Sequence, residues 1–249
     1  MAWLYGPIGA GADDVLMIFL FMDNKVKLPI VHPLTNLFLQ KDGMKIIAVA
    51  NVEQQREILE KKMIAGTEIV FENNWEESSS GKCDAVFLLN ENFPRDVIQT
   101  LKNKPVIINS VVETLHGLPE NFSRINGWSG FLKRDIWEIA SNNKTMASEV
   151  FDSLGWKVLF VKDEPGLIAA RVISMIINES YFALGENVST IKDIDLAMKL
   201  GTNYPFGPFE WADKIGIQNV CTLLEKLTDT DTRYSVAPSL KKQLSHLIN

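Results

Sequence analysis

Cysteine is scarce in this 249-residue chain, which holds only Cys83 and Cys221. Two thiols so far apart make neither a metal-binding spacing nor a disulfide framework, so a zinc module and a disulfide-stapled domain are both excluded. Both read as buried small hydrophobes rather than reagents, in a reducing compartment. Long hydrophobic runs are missing too. The longest, Val15 to Met22, falls well short of the about 20 residues that cross a bilayer. Asp13 and Asp14 stand before it, where a signal peptide would carry basic residues. Positive charge is also in deficit: 25 Lys and Arg against 31 Asp and Glu leave a net charge of −6. That balance offers nothing to a nucleic-acid backbone or an anionic membrane surface. These absences predict a cytoplasmic protein with no metal, no nucleic acid and no membrane among its partners.

What is present is ordinary globular composition. Hydrophobic residues at 46% and charged residues at 22% supply a core and exclude a disordered chain. Residues 1–43 stand apart, with scattered Gly and Pro and no sustained period. Gly6, Gly9 and Gly11 superficially resemble a phosphate loop, but no strand precedes them and Asp13-Asp14 would repel a phosphate.

From Met44 onward the pattern turns regular. Lys45–Ala50, Thr67–Glu72, Cys83–Leu89, Pro105–Val112 and Trp156–Val161 read as strands, the first a continuous apolar run that suits a buried parallel strand. Gln54–Ile64, Pro94–Leu101 and Lys144–Leu154 read as helices between them, while Gly127–Phe131 reads as a strand or a turn. This alternation predicts βαβ units, an α/β Rossmann-like parallel sheet domain over residues 44–163. The character then changes. Leu167–Gly185 is one long apolar helix, and Thr190 with Asp193 opens a helix that Gly201 is expected to stop. Pro208 opens another that Gly216 closes, and Ile217–Lys226 and Ser239–Leu247 are helical as well. Residues 164–249 therefore form an all-α helical domain.

The stretch from Leu154 to Gly216 resembles the 3-hydroxyacyl-CoA dehydrogenase (3-hydroxybutyryl-CoA dehydrogenase) family. The residues that carry the likeness are Val161-Lys162-Asp163 with Pro165-Gly166, and Ser189 with Asp193-Ile194-Asp195. Ala197-Met198-Lys199-Leu200-Gly201, Tyr204-Pro205, Gly207-Pro208-Phe209-Glu210, Asp213 and Gly216 complete it. The resemblance implies an NAD-dependent oxidation of 3-hydroxyacyl-CoA in fatty-acid metabolism, and a dimer formed through the helical domain.

The chemistry so implied lacks its parts here. A pyrophosphate cradle of the form G-x-G-x-x-G lets the backbone approach the phosphates, yet Asn51-Val52-Glu53-Gln54-Gln55-Arg56 follows the first strand, without a glycine and with an acid. Glu72 ends the second strand, where the resemblance implies a ribose-binding acid; a solvated strand-end carboxylate is the plainer reading. The family's base is a His followed twelve residues later by an orienting Glu. Glu138 matches that Glu, and Ser129, in Gly127-Trp128-Ser129-Gly130-Phe131, is placed at the His. A hydroxyl without a base cannot shed its proton near neutral pH. Ala170 takes the position of an Asn that touches the substrate carbonyl, and Ser110 is what survives of a Ser motif after the fourth strand. The short polar loop between Glu72 and Cys83 leaves no room for the helical hairpin that helps hold CoA.

No bound cofactor is therefore expected, and three readings stay open. One is a catalytically impaired, homodimeric binding module for an acyl-CoA-like ligand or a protein. The others are an active oxidoreductase with a remodelled site and a structural partner of a full-length dehydrogenase. Residues 1–43 are expected to be a poorly structured leader outside the domain, with translation starting at Met44. Removing them should leave the melting temperature nearly unchanged; a drop of many degrees would show that they pack on the core.

Overall fold

The structure, a computed structural model, describes residues 43–90 and 97–248. The expectations for residues 1–42, among them the leader, the glycines and the apolar run, lie outside the described residues, as does the Pro94 start of the second helix. Chain order is β1 (Lys45–Val49), α1 (Val52–Leu59), β2 (Glu68–Glu72), β3 (Ala85–Leu88), α2 (Val97–Thr100) and β4 (Val106–Asn109). Then come β5 (Phe122–Ile125), β6 (Ile136–Ser141), α3 (Lys144–Leu154) and β7 (Lys157–Phe160). The helical part holds α4 (Ala169–Gly185), α5 (Ile191–Thr202), α6 (Pro208–Ile215), α7 (Ile217–Thr228) and α8 (Pro238–Ile248).

The seven strands form one sheet in the order β2-β1-β3-β4-β5-β6-β7. The first five in that order are parallel, as the apolar runs predict, and β6 then runs antiparallel to β5. The reason is the connection. Residues 126–135 form turns with no crossover helix, and a return without a crossover can only be antiparallel. Helix α3 restores a crossover, so β7 lies parallel to β6. The Gly127–Phe131 stretch is thus a turn between two strands, β5 and β6, that the sequence reading did not resolve.

Alternation along each strand sends side chains to both faces. Ile46, Ala48, Phe87 and Ile107 meet Val150, Phe151 and Leu154 of α3 on one side, with Trp137 and Trp156 closing that core. Ile47, Val49, Val86, Leu88 and Ile108 meet Val97 and Leu101 on the other. Helix α3 is bounded as the sequence predicts: Asn143 accepts from the Met146 amide, and Gly155 ends it at φ 72°. Helix α1 stops earlier than expected, at Leu59, leaving Met63 and Ile64 exposed. Helix α5 runs past Gly201 and ends on Asn203 at φ 54°, a conformation Asn tolerates through its short polar side chain.

The helices build a third core around Ile177, Tyr181, Phe209, Leu223, Leu224 and Leu240, and Val111, Trp128 and Phe131 reach into it from the sheet's loops. Cys221 is buried there, and burial pushes its thiol up to about 11. Cys83 is buried in the sheet core.

One polar group fixes the seam. Arg124, in β5, is wholly buried and donates through Nε to Asp163 at 2.5 Å, through Nη1 to the Ser110 carbonyl at 2.9 Å and through Nη2 to the Glu164 carbonyl at 2.5 Å. Asp163 also accepts the Leu115 amide at 2.9 Å. Burial lowers the Arg124 pKa, and Asp163 opposes that effect. Removing one partner of a buried pair leaves an uncompensated charge. Asp163→Ala is therefore expected to cost about 3 kcal/mol by chemical denaturation. Glu164→Ala, which breaks only the half-exposed pair with Arg171, should cost less than about 1 kcal/mol. Equal losses in the two variants would contradict this reading.

Candidate functional site

In a doubly wound sheet the ligand crevice opens at the carboxyl ends of the strands, beside the switch point in strand order. Here that point lies between β1 and β3, and a crevice of about 400 Å³ opens there. Its walls are Asn51, Glu53 and Gln54 at the start of α1, Asn90 after β3, Gly127-Trp128-Ser129 after β5, and Lys214, Ile215 and Asn219 from the helical part.

The start of α1 is occupied by its own side chains. Asn51 Oδ1 accepts the Gln54 amide at 2.9 Å, and Gln54 Oε1 accepts the Asn51 amide at 3.0 Å, a reciprocal capping box. Gln54 is 5% exposed, and its Nε2 donates to the Leu89 carbonyl at 2.8 Å and the Gly127 carbonyl at 3.1 Å. One carboxamide thus ties α1 to the ends of β3 and β5. Glu53 sits in the first turn, 2.6 Å from Arg56 and 3.6 Å from Lys214. Glu57, also buried, accepts the amides of Gly130, Leu132 (3.0 Å) and Lys133 (3.3 Å) and so binds the turn that carries Ser129 back onto α1.

These residues do not fit the dinucleotide that the resemblance implies. A pyrophosphate at a helix N-terminus needs free backbone amides, glycines for close approach, and no competing anion. Here two amides are consumed by the capping box, every residue of the turn bears a side chain, and Glu53 adds negative charge.

The other sequence-derived positions scatter. Glu72 accepts the Ser79 hydroxyl at 3.0 and 3.1 Å, so its carboxylate is held by a neighbouring turn. The Ser110 hydroxyl donates to the Glu113 carbonyl at 2.8 Å, in the loop that Arg124 clamps. Glu138, in β6, accepts the Ile168 amide at 2.7 Å and the Ala169 amide at 3.0 Å, which makes it the anionic cap of α4. Ala170 is fully buried in the helical core one residue further on. Ser129 is half-buried and faces the crevice.

Twelve residues before Glu138 stands Asn126, not Ser129. Asn126 is buried at the end of β5 and shares the wall of a separate small niche with Glu138 and Arg134. The spacing was available in the sequence; the burial was not. Gln54 had a signal too, since Asn-x-x-Gln at a helix start is a capping pattern, whereas nothing local marks Glu57 as an acceptor for a turn more than 70 residues away.

Comparison with known proteins places residues 166–246 in the match to the 3-hydroxyacyl-CoA dehydrogenase C-terminal domain. The 3-hydroxyadipyl-CoA dehydrogenase of Escherichia coli (strain K12) is 47% identical over 73 residues, 29% of this chain and 15% of that protein. The 3-hydroxybutyryl-CoA dehydrogenase of Bradyrhizobium diazoefficiens is 35% identical over 108 residues, 42% of this chain and 37% of that protein. The chain thus spans well under half the length of these relatives. The solved (S)-3-hydroxybutyryl-CoA dehydrogenase of Ralstonia eutropha superposes with a TM-score of 0.62 at 18% identity, covering 81% of this chain and 93% of that one. That likeness carries the fold: a Rossmann-like sheet followed by helices.

Proposed function

We infer, for a chain whose residues 166–246 belong to the 3-hydroxyacyl-CoA dehydrogenase C-terminal domain family, that it keeps the family's scaffold without its hydride transfer and acts as a homodimeric binding module. The observation that carries this reading is the Gln54 carboxamide. Both of its polar ends are bonded to the protein, across the ends of β1, β3 and β5, where a pyrophosphate would otherwise lie. Oxidising a 3-hydroxyl also requires an acceptor for the hydroxyl proton. Ser129 and Asn126 are not bases, and the Glu138 carboxylate is engaged by the first amides of α4. The defects fall on different steps, so repairing one restores nothing.

Two measurements test this. Millimolar NADH is expected to leave the melting temperature where it was, although a ligand at about a hundred times its Kd would add about 2.7 kcal/mol of stability. NAD with 3-hydroxybutyryl-CoA should give no turnover, and neither Ser129→His nor Asn126→His should rescue it. Saturable NADH binding, or turnover within about a thousandfold of an ordinary dehydrogenase that Glu138→Gln abolishes, would favour a remodelled active site instead.

The dimer is read from apolar surface on the helical part. Ile168 and Val172 lie on the first turn of α4 and just before it, Leu196 and Leu200 lie one turn apart on α5, and Val188 and Ile191 lie between them in sequence, all of them exposed. Leu200 alone is 79% exposed. The number of these exposed apolar side chains supports the homodimer reading. Light scattering at micromolar protein should give twice the chain mass, and Leu196→Glu with Leu200→Glu should return it to one; a wild-type chain that stays monomeric overturns the homodimer.

A further inference from the structure

We propose that Asn126, Arg134 and Glu138 hold one ordered water molecule, and that through it Asn126 positions the carboxylate that caps α4. The niche lies beside the turn between β5 and β6, apart from the crevice, and is lined by Asn126, Phe131, Arg134, Ile136, Trp137 and Glu138. The proposal concerns the chain's own polar accounting and stands whether or not the protein turns over a substrate.

The first observation is an orphaned donor. Asn126 is 7% exposed, and its Oδ1 accepts the Trp128 amide at 3.1 Å. That bond fixes which end of the carboxamide is oxygen, because a flipped amide would set N–H against N–H. Nδ2 is then directed elsewhere, buried and without a hydrogen-bond partner. Buried amide donors in folded proteins are almost always paired, with protein or with water.

The second observation is the niche itself. Its volume is about 10 Å³, at the lower limit for one water molecule, and it opens outward past the exposed Arg134 and Ile136. The third is the set of groups around it. The Arg134 guanidinium lies 4.2 Å over the Phe131 ring, and burial lowers its pKa, with Glu138 as the charge that opposes the shift. Glu138 accepts two backbone amides from the start of α4, and two carboxylate oxygens have about four acceptor sites, so capacity is left over. Two donors and one acceptor around a water-sized space are the complement of a water molecule, which accepts from Asn126 and Arg134 and donates to Glu138. Three partners is the usual number for a buried water. An anion would be repelled by Glu138, and a cation would meet Arg134.

The consequence is mechanical. Glu138 lies on the sheet and holds the first turn of the helical part, so a water that fixes its carboxylate links the end of β5 to α4. Asn126 is in this sense a positioning residue for the junction of the two parts.

The test uses the intact wild-type chain in solution. Rotating-frame cross-relaxation between the Asn126 side-chain amide protons and water, separated by its sign from chemical exchange, should show a long-lived water. A crystal structure should show one density peak within hydrogen-bond distance of Asn126 Nδ2, Arg134 and Glu138. A dry niche, or an Asn126 amide that donates directly to protein, overturns the proposal. In Asn126→Leu the signal should vanish, and exchange protection of the Ile168 and Ala169 amides should fall about tenfold relative to amides in the middle of α4. Unchanged protection in a folded Asn126→Leu protein would overturn the positioning role. If that variant does not fold, the wild-type measurements decide the water, and Asn126→Ser, which keeps a hydroxyl donor, should lose less protection than any variant without one.

Discussion

A guanidinium with no exposed surface must satisfy its donors within the protein, and Arg124 does so on two separate pieces of chain. Its fork holds the loop after β4 at Ser110, the carboxylate of Asp163 and the carbonyl of Glu164, while Asp163 reaches on to Leu115. The Gly166 amide then donates to the Val111 carbonyl at 2.7 Å, which sets the bend into α4. The sheet, the turn and the helical part are therefore registered to one another by one desolvated charge and its partners. Apolar packing alone is non-directional and would allow α4 to start at several angles.

The second constraint lies just past the carboxyl end of β5. In this chain the polar groups at and beside the crevice are bonded to one another: Asn51 with Gln54, Gln54 with two carbonyls, and Glu57 with the 130–133 turn, while Glu138, outside it, is bonded to α4. Each bond satisfies a polar group that burial would otherwise leave expensive. The polar groups around the crevice and the apolar groups that fill the core are different residues, so one set can change while the other keeps its pattern.

Gly207 illustrates how finely the helical part depends on local fit. A Cβ there would lie 2.2 Å from Asp195 Oδ1, which accepts the Phe209 amide at 2.8 Å and caps α6. Asp195, Gly207 and Phe209 belong to the stretch that carries the family likeness, and in this protein their work is packing. The capping pair of Lys199 and Glu210 repeats the point, since the Glu210 carboxylate is held below its usual range by Lys199 and the Gly207 amide.

The order of strands and helices from Met44 to β4 and from α3 onward, the bounds of α3 and α6, and the change from an α/β to an all-α part were determined by the sequence alone. Hydrophobic period and capping residues are local, and local signals survive without a partner. The likeness over Leu154–Gly216 was equally legible, as was the missing glycine turn after β1. Tertiary structure alone decided the rest. The reversal of β6 depended on a ten-residue connection that forms turns instead of a helix. The roles of Arg124, Glu57 and Glu138 depended on partners 14 to 76 residues distant, and such contacts carry no period. Asn126 shows the boundary most clearly. Its distance of twelve residues from Glu138 could be counted on the chain, but its unpartnered donor and the small niche beside it exist only once the turn after β5 has folded back against β6.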